Sequence, residues 1–440
     1  MKYKSEIDRK FSPVILGWRE FQITADKPVG LMVEYADGYN FRFDCKIGND
    51  AEQNYRYIER IVKSMLWIVG GCRVYIAGAD DVAKRLATDY AKGGKRAFDS
   101  DFMERVYKQP FEVIACERLY EAFRRCVKTG GNVKGCRIGF DAGGSDRKVS
   151  AVIDGEVVFS EEVIWYPKLN ADPQYHYDGI VSALKTAASK MPRVDSIGVS
   201  SAGIFINNRT CVSSLFRMVP DKKYSLVRDI YIRAAREIGK KIPVTVANDG
   251  DVTAIAGGIS FNSNRVLGIA MGTSEAGGYL NAKGGLNGWL SELAFVPCDL
   301  NPQAAADEWS GDIGTGVNYF SQDAVIKLCP AAGIPLDEKL SPAEKLKVVQ
   351  ELMKIGDKRA KEIYRTIGIY LGYTLPFYAL FYDIKLALVL GRVLSGTGGD
   401  LIVETASQIL KEEFPELDMK IVTPDEKFKR VGQSIAASSL

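Results

Sequence analysis

Four short segments of the chain combine acidic, hydroxyl and glycine residues in spacings that suit the handling of phosphate. In Phe140-Asp-Ala-Gly-Gly-Ser-Asp-Arg-Lys148 an acidic residue closes an apolar run, Gly143 and Gly144 make a tight turn, and Ser145 and Lys148 supply a hydroxyl and a cation. Glycine has no Cβ to hold a phosphate away from backbone N–H groups. Asp141 is the kind of ligand that hydrated Mg²⁺ takes, which prefers one or two carboxylates beside phosphate oxygens. A Gly-Gly turn between strands is also the pattern of a plain hairpin. In Val246-Ala-Asn-Asp-Gly-Asp251, at a strand's end and a helix's start, Asp249 could take the proton from an attacking hydroxyl. Asn248 has both a donor and an acceptor to orient that hydroxyl, although Asn and Asp are favoured helix N-caps as well.

The third segment, Ile269-Ala-Met-Gly-Thr-Ser-Glu-Ala-Gly-Gly278, runs a buried strand into Gly272, Thr273 and Ser274, a second cradle with two hydroxyls to donate. The fourth, Leu388-Val-Leu-Gly-Arg-Val-Leu-Ser-Gly-Thr-Gly-Gly-Asp400, takes an apolar strand through Gly391, Gly396, Gly398 and Gly399 into a helix, the arrangement that accepts a nucleotide at a helix N-terminus. One glycine-rich loop says little. Four in this order, each after a strand, point to a single phosphate-binding apparatus.

Such turns need strands and helices to carry them. Cys136–Phe140, Lys148–Ile153 and Glu156–Val163 read as strands, with the hairpin dipeptide Asp154-Gly155 between the last two. A helix over Asp178–Lys190, a strand over Asp195–Ser200, an amphipathic helix over Tyr224–Gly239, a strand over Pro243–Ala247 and a helix over Asp251–Ile259 follow. Arg265–Met271 opens a second set of strands; long helices lie between Ser341 and Tyr382, then a strand at Leu386–Leu390 and a helix at Leu401–Glu413. This order predicts mixed α/β lobes with a cleft between them. Ahead of it, Phe21–Lys46 alternates around the turn Asp37-Gly38. Helices over Tyr55–Ile68 and Asp81–Tyr90 and strands over Cys72–Ala77 and Phe111–Cys116 complete an N-terminal region, joined by a linker at Lys128–Asn132.

With 440 residues the chain is too long for one ordinary core. Apolar residues make up 46% and charged residues 26%, a globular composition, and the formal charge of +3 calls for neither nucleic acid nor an anionic membrane as partner. The opening MKYKSEIDRK has no apolar run behind it, so no secretory signal is expected. A marginal membrane span is one reading of Ile369–Leu390. Pro376, Asp383 and Lys385 within it fit a buried helix followed by a buried strand better. Eight cysteines without a CxxC pair read as core residues of a reducing compartment, which predicts a cytoplasmic protein. A single histidine, His176, leaves no room for a catalytic triad or a His-based metal site and is expected in a loop. The aromatic runs Trp165-Tyr166 and Tyr370–Tyr382 are expected in the core.

From about Gly135 onward the order of these segments resembles the ROK family (repressors, open reading frames, kinases) of the hexokinase/actin/Hsp70 ATPase superfamily. The resemblance covers about two-thirds of the chain. It implies a two-lobed actin-like ATPase (ribonuclease H-like) fold with an additional N-terminal α/β domain. Residues 1–130 would be the addition, 131–262 the first lobe, and 263–440 the second, with a small-residue helix at 428–439 packing back toward the first. It further implies an ATP-dependent carbohydrate kinase, a phosphotransferase with an alcohol acceptor, using ATP and Mg²⁺ on a small-molecule sugar. Asp249 would be the catalytic base and Asn248 its sugar-orienting neighbour. Ser201 and Gly203 would lie on the sugar-side loop of Ser196–Gly203, and Glu292, in Gly288-Trp-Leu-Ser-Glu-Leu-Ala-Phe295, would bind sugar hydroxyls.

Three departures stand out. Phe295 occupies the place of the family's sugar- and zinc-binding histidine, the zinc cysteines are missing after Cys298, and Val317–Ser321 lacks a further sugar-binding Glu. No structural zinc is therefore expected. Ser145-Asp-Arg-Lys148 in place of a simple Thr-Lys leans toward the BadF/N-acetylglucosamine-kinase branch. A non-catalytic sugar-sensing regulator is the other reading, and such relatives carry an N-terminal helix-turn-helix that is not found here. The N-terminal region, where Val69–Gly78 echoes Leu386–Gly391, is open between an extra α/β domain, a degenerate lobe and a dimerisation module of a homodimer.

Overall fold

The computed structural model describes residues 1–123, 130–424 and 426–440, with the backbone alone for 426–431. The first two residues of the linker expected at Lys128–Asn132 lie outside the described residues. The chain divides into two compact units: Met1–Arg125, Ile269–Gly277 and Gly288–Thr423 form the first, and Cys126–Gly268, Gly278–Asn287 and Pro424–Leu440 the second.

In the first unit the chain begins with α1 (Val14–Thr24), the hairpin β1 (Lys27–Glu34) and β2 (Asn40–Ile47), and α2 (Ala51–Ile68). Then come β3 (Arg73–Ala77), α3 (Asp80–Asp89), α4 (Ala97–Tyr107) and β4 (Glu112–Cys116), giving a sheet of order β2-β1-β3-β4. The hairpin turns at Asp37-Gly38 as expected, with Gly38 at φ 84°. The predicted alternation from Phe21 is corrected: Phe21–Thr24 end a helix whose Val14, Ile15, Trp18 and Phe21 face the core at helical spacing. Helix α2 starts on Asp50, whose carboxylate accepts from the N–H groups of Glu52 and Gln53 at 3.0 and 3.1 Å. It is buried around most of its circumference, charged residues included.

In the second unit β5 (Cys136–Ala142), β6 (Asp146–Ile153) and β7 (Glu156–Ile164) form an antiparallel meander. After α5 (Pro173–Ala188), β8 (Ser196–Ser201) joins β5 in parallel, and the small hairpin β9 (Ile204–Ile206) and β10 (Arg209–Val212) follows. Helices α6 (Ser225–Arg228) and α7 (Ile230–Ile238) occupy the span read as one helix, broken at Asp229. Then β11 (Val244–Asn248) joins β8 in parallel and leads into α8 (Asp249–Ser260). The sheet order is β11-β8-β5-β6-β7. Side chains two apart on a strand share a face, and Ile138, Phe140, Ile197, Val199 and Val246 give this sheet one apolar face in the core.

Strands β12 (Val266–Met271) and β13 (Glu275–Leu280) are shared in sequence by both units. The first unit resumes with α9 (Gln322–Ala332), α10 (Pro342–Lys354), α11 (Lys358–Tyr378), β14 (Leu386–Leu390), α12 (Thr397–Glu413) and β15 (Lys420–Val422), and its sheet runs β13-β12-β14-β15. Ile369–Leu390 is thus a buried helix and then a buried strand. Among the described residues no helix is long and apolar enough to cross a membrane. The chain closes with α13 (Glu426–Ser438), which packs on β5, β6, β8 and α8 of the second unit. Its approach explains two strand glycines: a Cβ on Gly139 would collide with the Ser434 carbonyl, and one on Gly198 with that of Ala437.

Candidate active site

The first predicted phosphate turn, Gly143-Gly144-Ser145, joins β5 to β6 where Ala142 pairs with Arg147. Trp165, just beyond β7, holds it from beneath. Its indole Nε1 donates to the carbonyls of Gly143 and Asp146 at 2.8 and 3.0 Å, and its backbone N–H donates to that of Ser145 at 3.1 Å. The carbonyls of Gly143 and Ser145 are therefore engaged, while among the described residues nothing accepts from the N–H groups of Gly143, Gly144 or Ser145. Amides left unpaired on one side of a turn are what an anion-binding nest requires.

Asp141, one residue from the end of β5, is buried and accepts from Ser200 Oγ at 2.8 Å. Burial pushes its carboxyl up to about 6, helped by the negative charges of Asp249 and Asp146 and opposed by the Ser200 hydroxyl and Lys148. Lys148 sits opposite it across the ladder and pairs with Asp146 at 3.5 Å. A cation with phosphate oxygens beside it would relieve the strain on Asp141, so this carboxylate fits the Mg²⁺ role.

Asp249 opens α8. Its Oδ1 accepts from the N–H of Gly250 at 3.0 Å, and its backbone carbonyl from Gln433 Nε2 at 3.3 Å. Oδ2 takes no hydrogen bond among the described residues. Burial raises its pKa against the pull of the Gly250 N–H and the Lys168 charge. Asn248 caps the helix, accepting from Gly250 N–H at 2.8 Å, and its amide donates to the Gly203 carbonyl at 2.8 Å. It therefore ties the Gly203 loop to the start of α8. Gly203 itself, at φ 138°, is crowded by Val212 and Ser213. Ser201 lies differently from a loop residue: it ends β8, fully buried, with its hydroxyl 2.7 Å from Tyr231 Oη.

The first unit carries the other two loops. Gly272 N–H donates to the Ser274 carbonyl at 3.0 Å, and the start of α9 is fastened to this turn by Gln322 N–H on the Gly272 carbonyl at 2.8 Å. Thr273 and Ser274 are exposed. Behind them Glu275 is buried, with Oε1 3.3 Å from Tyr378 Oη and no partner for Oε2 among the described residues, and burial pushes it up to about 8. After β14, Gly391 (φ 112°) lies where a side chain would collide with the Met271 carbonyl. Gly396 (φ 75°) precedes α12, and Gly398 and Gly399 let its first turn close on Tyr364 and the Leu394 carbonyl.

Glu292 stands in a segment laid along the end of α2. The N–H groups of Leu290, Ser291 and Glu292 donate to the carbonyls of Val69, Ile68 and Trp67 at 3.3, 2.9 and 2.9 Å, satisfying acceptors that a helix C-terminus leaves open. Phe295 stacks on Trp67 with ring centroids 4.1 Å apart. Among the described residues no disulfide joins the cysteines.

His176 is a correction. It is buried in α5, packed near Phe216 and Trp165, with Nε2 3.2 Å from the Asn170 carbonyl. Asp172 caps that helix and Pro173 takes its first position, a signature that places His176 inside it. Sequence reasoning missed Ser200, Gln433, Lys168 and the clamp of Trp165, because each acts across strands distant in sequence.

No protein-family model matches this chain, and no curated protein matches it. Solved structures do. The ROK hexokinase from Thermus thermophilus is similar at 17% identity with a TM-score of 0.53, over 69% of this chain and 96% of that one. A ROK family glucokinase from Streptomyces griseus, in complex with glucose and AMPPNP, gives 17% and 0.50 over 69% and 98%. A ROK family transcriptional regulator, a homolog of the E. coli MLC protein, gives 17% and 0.52 over 70% and 78%. The chain has the α/β fold of these proteins, the actin-like ATPase fold, and the family its motifs resemble is the family of the structures that share it.

Proposed function

We propose that the protein is a cytoplasmic ATP-dependent sugar kinase of the ROK type, with residues 131–262 and 263–440 as its two lobes and 1–130 as an addition. The observation that carries this reading is the turn Gly143–Ser145. Trp165 holds its Gly143 and Ser145 carbonyls and among the described residues its N–H groups are unengaged, in the same unit as a carboxylate, Asp249, whose Oδ2 has no partner among those residues and whose pKa is raised. The acceptor hydroxyl of the sugar attacks the γ-phosphorus of ATP, the bond to the β–γ bridging oxygen breaks, ADP leaves, and the hydroxyl proton passes to Asp249 Oδ2. Gly143, Gly144, Ser145 and Lys148 hold phosphate in this reading, as do Gly272, Thr273 and Ser274, while Gly391, Gly396, Gly398 and Gly399 shape the nucleotide end. Asp141 would hold Mg²⁺, which when bound offsets charge on the phosphate oxygens. Asn248, Gly203 and Glu292 serve the sugar. Ser201, with its hydroxyl on Tyr231, is assigned to the sugar side with them.

The test is a product-detecting screen of hexoses, amino sugars and sugar acids with Mg-ATP, followed by Asp249→Asn on the best acceptor. Turnover should fall ~10²–10⁴-fold with ATP binding little changed. Equal turnover removes Asp249 from the role, and a screen without product overturns the kinase. A sugar-sensing regulator draws on the likeness to the ROK regulator; specific binding to an operator in a gel-shift assay would favour it.

A further inference from the structure

The segment after β7 meets the turn Gly143–Ser145 through two side chains. Trp165 takes the carbonyls. Lys168, in the 3₁₀ turn Pro167–Leu169, lays its stem against the bare Cα of Gly144. A methyl group at Gly144 would meet Lys168 Cε at 2.9 Å and Nζ at 3.0 Å. The segment is anchored behind the lysine by Arg217 Nε on the Lys168 carbonyl at 3.3 Å and by the His176 ring at the Asn170 carbonyl. Within the turn the residue after Ser145 is the acidic Asp146, and Lys148 is drawn to it. The cation whose stem lies against Gly144 of this turn is Lys168.

We propose that Lys168 is a further phosphate-binding residue, supplying from the neighbouring segment the positive charge that Asp146 withholds from the turn. This rests on the kinase reading. An ammonium beside a nest of N–H groups makes charge-assisted hydrogen bonds to a triphosphate and strengthens as charge moves onto the leaving ADP. The same ammonium faces Asp249. Among the described residues the elements around that carboxylate carry Asp141 on β5, Asp146 and Lys148 on β6 and Asp251 on α8, and the Lys168 charge lowers its pKa.

The test is calorimetric titration of the wild type, Lys168→Met and Lys168→Arg with AMPPNP and Mg²⁺, joined to the pH profile of turnover. Lys168→Met should weaken AMPPNP about 10- to 100-fold and move the acid limb of kcat/KM for the acceptor to higher pH, because Asp249 then holds its proton longer. Lys168→Arg should restore most of the binding. AMPPNP binding in the Met variant within about twofold of wild type overturns the proposal, as does an equal loss in both variants, which marks the stem as mere packing on Gly144. Wild type that fails to bind AMPPNP overturns the kinase reading instead.

Discussion

Each unit gathers three buried or part-buried carboxylates, and the two sets are treated in opposite ways. In the first unit Glu59, Asp99 and Asp312 lie buried with Arg60, Lys63 and Arg96. Lys63 Nζ is 3.0 Å from Asp99 and 3.3 Å from Asp312, Arg60 and Arg96 reach Asp312 at 2.9 and 2.7 Å, and both guanidinium groups also contact Glu59. Burial pushes Asp312 up, but Arg60 and Lys63 more than offset it and hold it below the ordinary value. Burial prevails at Asp99, deeper still, against the pull of Lys63 and the Trp67 indole N–H. In the second unit Asp141, Asp249 and Asp251 have no such matched set, and burial raises all three. Three charges answered by three fasten α2, α4 and the loop of Asp312 together. Carboxylates left under-compensated are held ready for a proton or a cation, as sites of chemistry are.

That contrast is broken most severely by removing one partner of the matched set. Lys63→Met strands Asp99 and leaves Asp312 short of a cation, and breaking a buried pair in this way costs about 3–5 kcal/mol. Chemical denaturation should show that loss, and Lys63→Met with Asp99→Leu should recover much of it, because an apolar replacement of the pair leaves no charge stranded. A single variant as stable as wild type would mean the network contributes nothing to holding α2 and α4.

The unmatched set should respond in the other direction. Asp251 accepts from the Tyr279 N–H at 3.3 Å, and burial, with the charge of Asp249, pushes it up to about 7 from 3.8. A folded-state pKa above the unfolded one means that the folded protein binds the proton more tightly. The stability this carboxyl contributes is full below about pH 4, falls as pH rises and is lost above about 7. Asp251→Asn keeps the acceptor and removes the titration. The variant should therefore match wild type at pH 4 and exceed it at pH 8 by about 2 kcal/mol, after allowance for partial exposure. Denaturation at several pH values checks this, and a difference that does not grow between pH 4 and pH 8 would sink it.

The sequence was most legible where burial alone sets the pattern. The strand at Leu386–Leu390 and the meander from Cys136 are continuous or alternating apolar runs bounded by turn residues, and they form where they were expected. Helix α1 was hidden because its last turn also alternates, and α4 because Asp99 and Ser100 put polar side chains on its buried face. At the site the glycine turns could be read from their composition. Their orientation could not, since it depends on Trp165 reaching back to Gly143 and on Ser200 reaching across to Asp141. Lys168 is invisible in sequence for the same reason: its meaning comes from the bare face of Gly144.

The smallest expected effect is none at all, and it concerns the segment of Glu292. The resemblance to the ROK family implies zinc in this region, held by a histidine and cysteines, and this chain has Phe295 in the place of that histidine. Here the ring of Phe295 lies on Trp67 and also near Phe98 at 5.8 Å. Three N–H groups of residues 290–292 close the end of α2, and Cys298 is buried with its thiol donating to the Val296 carbonyl. Burial pushes that thiol's pKa well up, which disfavours the thiolate that zinc requires. Dialysis against a strong zinc chelator should therefore leave the melting temperature and any sugar affinity where they were. A fall in melting temperature that added zinc reverses would show that the aromatic stack and the helix-end bonds do not hold this segment unaided.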